Sequence, residues 1–306
     1  MKILLTGASG LIGREIIKQV TIEKHDIVGV SRNIPAAKKQ LRKLYGPQID
    51  AKVEWISGVD SIKHLNDFDA VINLAGEPIV GKRWSDEQKL KLQNSRWLIT
   101  KRLADLVKAS ESPPAVFISG SAIGFYGRQD ATPIDESFTD VHDEFSHQLC
   151  KKWEQLALSA QEKTRVCVLR TGIVLSNKGG ALEKMLLPFK LGLGGPIGDG
   201  EHYMPWIHLE DMARAIMHLL HNENCQGAYN FTAPNPVTNR EFSKTLASVL
   251  HRPAIFPMPA KVLQLIMGEM SDLLTTGQNV IPAKLQESGY QFMFRELKPA
   301  LEDLNL

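Results

Sequence analysis

Met1-Lys-Ile-Leu-Leu-Thr-Gly-Ala-Ser-Gly-Leu-Ile-Gly13 opens the chain, and the reading of these residues decides the fold. Ile3, Leu4 and Leu5 form an apolar run long enough for a strand buried on both faces. Thr6 follows, and Gly7, Gly10 and Gly13 then recur at three-residue spacing. Beyond them Leu11, Ile12, Ile16, Ile17 and Val20 lie at helical intervals. The glycines therefore fall between a buried strand and a helix start, where free N–H groups and the positive dipole end favour an anion.

A loop of this kind uses one glycine for the tight turn, one for close backbone approach to a pyrophosphate, and one for packing of helix on strand. The spacing is G-x-x-G-x-x-G rather than G-x-G-x-x-G, and it implies dinucleotide binding through Gly7, Ser9, Gly10, Leu11, Ile12 and Gly13. Asp26 to Ser31 reads as the second strand. About twenty residues past such a loop, an acid selects the ribose 2′-hydroxyl of NAD, whereas Arg accommodates a 2′-phosphate. Ser31 and Arg32 stand there with no acid, so NADP is the expected cofactor. Val53 lies in a short third strand, Ala51 to Ile56, and Asp69 to Gly76 makes a buried fourth. Leu74, Ala75 and Gly76 at its end are expected to let the cofactor approach the backbone, with Asn73 fixing the loop.

Bulk properties narrow the classes. A length of 306 residues suits one large or two modest domains. With 23% charged residues and a net charge of +2, no basic field points to nucleic acid. Cys150, Cys167 and Cys225 are too dispersed for a disulfide framework or a zinc cluster, so a reducing compartment and no metal site are expected. No apolar run approaches a membrane span, and a first strand at Ile3 leaves no room for a targeting segment. A cytoplasmic protein without membrane contact is the expectation.

Ser85 to Ala109 reads as a long helix with apolar Leu90, Leu98, Leu103, Leu106 and Val107, interrupted by Asn94 and Arg96. A fifth strand from Ala115 runs into Ser119-Gly-Ser-Ala-Ile-Gly-Phe-Tyr-Gly127, and a sixth covers Arg165 to Arg170. These pieces, with the opening loop, Leu169-Arg-Thr-Gly172 and Pro205-Trp-Ile-His-Leu-Glu-Asp211, resemble the extended short-chain dehydrogenase/reductases. More narrowly the chain resembles their atypical epimerase-like subgroup, through Gly76-Glu-Pro78, Trp153-Glu154, Gly179-Gly-Ala181 and Leu191 to Gly198. Around Pro257 to Leu301 it is similar to that subgroup's C-terminal segment of unknown function. The implied fold is a Rossmann-type doubly wound parallel sheet with a smaller, mostly helical C-terminal domain. Residues 1–171 form the cofactor domain, 205–232 return to it, and 172–204 with 233–306 make the substrate side. In that second part, Gly179 to Gly195 combines an amphipathic helix with glycine hinges. Val262, Leu263, Ile266, Met267, Met270 and Leu273 form an apolar stripe read as core or subunit contact, which leaves a homodimer open.

The resemblance also implies a Tyr-x-x-x-Lys pair, in which the Lys lowers the phenol pKa so that the Tyr exchanges a proton. Here the helix reads Phe145-Ser-His-Gln-Leu-Cys-Lys-Lys-Trp-Glu154. One register puts Ser146 and Cys150 at the pair's positions, and a shift by one puts His147 and Lys151 there. Neither contains a Tyr. By resemblance Ser121 is the crest serine that bonds a substrate oxygen, and Tyr126 lies close to substrate. His147, whose imidazole can give or take a proton, is the candidate acid or base, or a ribose contact. Subgroup resemblance sets Arg96 beside a cofactor phosphate. Two functions stay open: an NADP-dependent epimerase-like oxidoreductase on a small sugar- or nucleotide-like substrate, and a catalytically silent NADP(H)-sensing protein.

Overall fold

A computed structural model describes residues 1–306. Seven strands build the central sheet: β1 (Lys2–Thr6), β2 (Asp26–Val30), β3 (Val53–Ile56), β4 (Ala70–Asn73), β5 (Val116–Ala122), β6 (Arg165–Thr171) and β7 (Gly227–Phe231). All pairings are parallel and the spatial order is β7-β6-β5-β4-β1-β2-β3. Crossovers are made by α1 (Leu11–Ile22), α2 (Ile34–Tyr45), α3 (Asp86–Ala109) and α4 (Phe145–Leu158). The order reverses between β1 and β4, so their C-terminal ends flank the crevice in which an open α/β sheet takes ligands.

Strand alternation sorts the core into two layers. Ile3, Leu5, Ile72, Ile118 and Leu169 face α1 and the later helix of residues Leu209–His221 through Ile16, Ile17, Met212 and Ile216. Leu4, Val28, Val71, Phe117 and Val168 face α3 through Leu103, Ala104 and Val107. Between β6 and β7 the chain leaves the sheet through α5 (Ala181–Lys190) and returns along α6 (Leu209–His221). After β7 come α7 (Asn239–Val249), α8 (Ala260–Met267) and α9 (Leu297–Asp303). A separate core joins Leu175, Leu182, Phe189 and Trp206 to Phe242, Leu246 and Leu301. No helix is long and apolar enough to cross a membrane.

Three expectations are corrected. The boundary at residue 233 is crossed: Asn279–Val280 pairs with Pro133–Ile134, and Leu285, Tyr290 and Phe292 pack into the sheet core. Asp211 holds that return, accepting from the Tyr290 hydroxyl (2.7 Å) and from the amides of Met293 and Phe294 (2.9 Å each). Leu90 and Leu98 of α3 are exposed, because the inward stripe of its first half is Gln88, Leu92, Arg96 and Thr100. The stripe after residue 260 is only partly core: Met270 is buried with Met267 and Leu273 packed around it, whereas α8 buries no residue and Ile266 lies open to solvent.

Candidate cofactor and substrate site

The glycine loop is shaped by backbone contacts. Gly7 has φ +69°, and a Cβ there would lie 2.5 Å from the Leu74 carbonyl oxygen. At Gly13 a Cβ would lie 2.2 Å from the Gly7 oxygen, so close packing of α1 on β1 requires glycine. Gly10, the residue before α1, would meet only the Gly7 oxygen, at 3.1 Å. No side chain caps α1 and no acid stands in its first turn. The loop thus presents an open glycine and unpartnered N–H groups, which fits a pyrophosphate. Arg14 donates to the Ser9 carbonyl (2.6 Å), bracing the loop from beneath. At the end of β2, Ser31 is buried and accepts from the Asn33 amide (3.3 Å), while Arg32 is exposed.

Asn73 at the end of β4 is a junction rather than a loop brace. Its side chain accepts from Thr6 Oγ1 (2.6 Å) and donates to Thr100 Oγ1 (2.8 Å) and Ser119 Oγ (3.2 Å). Trp153 Nε1 donates to the same Thr100 oxygen (3.0 Å), so three strands and two helices meet here. Next to it, Arg96 is buried with its guanidinium on Gly76: a Cβ on that glycine would lie 3.1 Å from Arg96 Cζ. Its hydrogen bonds go to the Glu77 and Leu92 carbonyls (2.9 and 3.1 Å) and to Ser95 Oγ (3.3 Å). It forms no ion pair, and its Cζ lies 5.3 Å over the Trp153 ring. Burial pulls its pKa down, and the Glu77 charge only partly opposes this.

Ser121, on β5, donates to Glu154 Oε1 on α4 (2.6 Å). Arg170, on β6, grips Glu154 with two bonds of 2.9 Å and donates to the Tyr126 hydroxyl (3.0 Å). Tyr126 in turn donates to Asn230 Oδ1 on β7 (2.7 Å). All five side chains are buried. Burial lowers the Arg170 pKa, but the Glu154 bond and charge outweigh it, and the net shift is upward. The Tyr126 ring is fully buried, and desolvation pushes the phenol up to about 12.

On α4, Ser146, His147 and Cys150 are buried and Lys151 is exposed. The register pairing His147 with Lys151 therefore brings no lysine inward. A Cβ on crest residue Gly124 would lie 3.1 Å from Ser146 Cβ and 3.7 Å from Cys150 Sγ, so both side chains lie against the crest. Burial and the Glu154 charge push the Cys150 thiol up to about 12. His147 Nδ1 lies 2.5 Å from the Phe125 carbonyl oxygen, which makes Nδ1 the protonated nitrogen. The Phe125 ring carries Arg170 Cζ 3.6 Å from its centroid.

Sequence reasoning passed over Glu154 and Arg170 as chemistry. The signals were present: positions 146, 150 and 154 share a helix face, and Arg170 ends an otherwise apolar strand. A cavity of about 340 Å³ between α1, α6 and the C-terminus, lined by Glu15, Lys178, His208 and Asp303, shares no residue with this cluster.

A parallel sheet in this order, with the glycine loop at its switch point and a helical C-terminal unit, defines a Rossmann-type α/β protein. The chain belongs to the NAD dependent epimerase/dehydratase family, whose model matches residues 3–231. A domain of unknown function, DUF1731, matches residues 258–304. The chain is 35% identical over 305 residues to a chloroplastic homologue of epimerase family protein SDR39U1 from Arabidopsis thaliana, covering 98% of this chain and 86% of that one. It is 35% identical over 307 residues to SDR39U1 of Mus musculus, covering 99% of both. The crystal structure of human SDR39U1 (isoform 2) with NADPH superposes with a TM-score of 0.86 at 33% identity, over 99% of each chain. A UDP-glucuronic acid 4-epimerase from Bacillus cereus, at 17% identity and a TM-score of 0.77 over 99% of this chain and 98% of that one, shares the fold.

Proposed function

We propose that this chain binds NADPH across the crevice and acts as an epimerase-like oxidoreductase on a small sugar- or nucleotide-like substrate. The observation that carries the reading is Arg96, a buried guanidinium without an anionic partner, set against Gly76 at the end of β4. A buried charge is retained at a cost of several kcal/mol unless an anion offsets it, and a cofactor phosphate is such an anion. The open Gly10, the uncapped start of α1, and Ser31 with Arg32 support the same ligand. The human relative solved with NADPH supports the choice of nucleotide.

When bound, the nicotinamide supplies a hydride donor or acceptor. Of the chain's own groups, Ser121 donates its proton to Glu154, so its lone pairs are what it offers to a substrate hydroxyl. Arg170 and Glu154 hold that hydroxyl in place. His147, with its Nδ1 hydrogen committed to Phe125, has only Nε2 for proton exchange.

The second reading, a protein that senses NADP(H) without turnover, is favoured by a specific observation. Neither register of α4 supplies the family's Tyr-x-x-x-Lys pair, and both the Cys150 thiol and the Tyr126 phenol are pushed up to about 12. Fluorescence titration tests the binding: NADPH is expected to bind at least ~10-fold more tightly than NADH, about 1.4 kcal/mol. Arg96→Met is expected to weaken NADPH binding without lowering the stability of the unliganded protein, because it removes an uncompensated charge. Equal affinities, or an Arg96→Met variant that binds normally, refute the site. Screening carbonyls and sugar nucleotides for NADPH oxidation then separates the readings. Turnover that Ser121→Ala abolishes supports the enzyme, and tight binding with no turnover supports the sensor.

A further inference from the structure

At the far end of α1 from the glycine loop, the chain turns at Lys24, whose φ of +59° is uncommon for a residue with a side chain. Lys24 N–H donates to the Thr21 oxygen (3.2 Å) and His25 N–H to the Val20 oxygen (3.0 Å), the paired bonds of a Schellman ending. This turn brings the side chains of Glu23 and His25 together. The neighbouring helix α6 ends beside them at His221. His221 Nε2 lies 2.8 Å from Glu23 Oε2, and His25 Nε2 lies 3.3 Å from the same oxygen. The ligand atoms of the three residues all fall within 4.8 Å of one another.

We propose that Glu23, His25 and His221 form a site for a divalent transition metal, zinc first among them. Two imidazoles converge on one carboxylate oxygen, and His25 Nε2 is sealed from solvent without a hydrogen bond of its own. A buried polar atom of that kind calls for a partner. Zinc takes imidazole nitrogen and carboxylate oxygen at about 2.0–2.2 Å, which in a tetrahedron sets ligand atoms roughly 3.3 Å apart. The 2.8 and 3.3 Å separations from Glu23 reach that spacing by shifts of about half an ångström or less, and the His25–His221 edge, within 4.8 Å, closes by at most about 1.5 Å, within reach of side-chain rotation. The partial exposure of all three residues leaves the fourth position to water.

Charge agrees with a cation. Glu23 is the C-cap of α1 and His221 is the last residue of α6, so the negative dipole ends of two helices meet here. The set is poor for calcium or magnesium, which demand oxygen donors. A bound zinc ties the C-terminal ends of the two helices that cover one face of the sheet.

Calorimetric titration of the chelator-stripped full chain with zinc chloride tests the site. One zinc per chain is expected, with a melting temperature raised by about 3 °C or more at saturation. His25→Asn and His221→Asn are each expected to weaken binding at least ~10-fold, with native circular dichroism. Cobalt(II) is expected to give the visible bands of a tetrahedral site in the wild type and to lose them in His221→Asn. Magnesium should give no heat. No zinc uptake at millimolar metal overturns the proposal. So does a His25→Asn/His221→Asn double variant that binds like the wild type.

Discussion

Glu154 accepts one hydrogen bond from Ser121 and two from Arg170, and every member of that set is buried. A pair of this kind adds little against a well-packed apolar replacement, yet breaking it leaves one charge stranded. Glu154→Gln is therefore expected to destabilise the protein by about 3 kcal/mol or more, measured by urea denaturation. The Glu154→Gln/Arg170→Met double variant should be less harmful than the single one, since no orphan charge remains. A double variant as unstable as the sum of its parts would show that the two residues do not act as a pair. Ser121 and His147 could be picked out from the sequence because crest and helix positions are local. The neighbours that decide what they can do lie on other elements, and no spacing rule encodes them.

In the opening strand–loop–helix unit, the three glycines separate by what surrounds them. Gly13→Ala drives a methyl into the Gly7 carbonyl and is expected to cost about 1–3 kcal/mol of stability. Gly10→Val meets that oxygen only at 3.1 Å, from an extended backbone at φ −72° that a valine can adopt. It is expected to fold with a native circular dichroism spectrum and to lose NADPH affinity by fluorescence titration. If Gly10→Val instead unfolds as readily as Gly13→Ala, the loop is a structural turn. Helix α3 shows where periodicity misleads. Its apolar Leu90 and Leu98 point outward, while Arg96 and Thr100 point in, because the site rather than the core occupies that side. α8 shows the converse, an apolar segment that the fold leaves uncovered.

Across the whole molecule, acid stability depends on where histidines are buried. His208 caps α6 by accepting from the Glu210 amide (3.2 Å), stacks on Phe294, and keeps Nε2 out of solvent without a hydrogen bond. Asp303 Oδ2 is 3.4 Å from that nitrogen, but the alignment is poor, so the contact serves as a weak charge attraction. Desolvation lowers its pKa, and the charges of Asp303 and Asp211 only partly oppose this. The unfolded chain then binds more protons than the native one once pH falls below about 6.5, so stability decreases there, by at most ~1.4 kcal/mol per pH unit for one group. His208→Asn keeps a capping acceptor and removes the titration. Its urea midpoint should fall less than that of the wild type between pH 7 and pH 5.5, and equal slopes would exclude His208 as the source. His202 and His218, shifted the same way by burial, leave a residual slope. At this scale the division of information is plain. The first thirteen residues determined the sheet's starting unit by themselves, because torsional freedom at Gly7 and close packing at Gly13 are set by atoms a few positions away. The resemblance carried by the glycine loop and the crest motif implied the doubly wound sheet, and the structure supplied its strand order. Only the tertiary structure sealed Tyr126, turned Arg96 inward, returned residues 279–292 to the sheet, and set His221 beside Glu23, 198 positions away. Those are contacts between elements, fixed by how helices dock on a finished sheet, and local spacing carries no record of them.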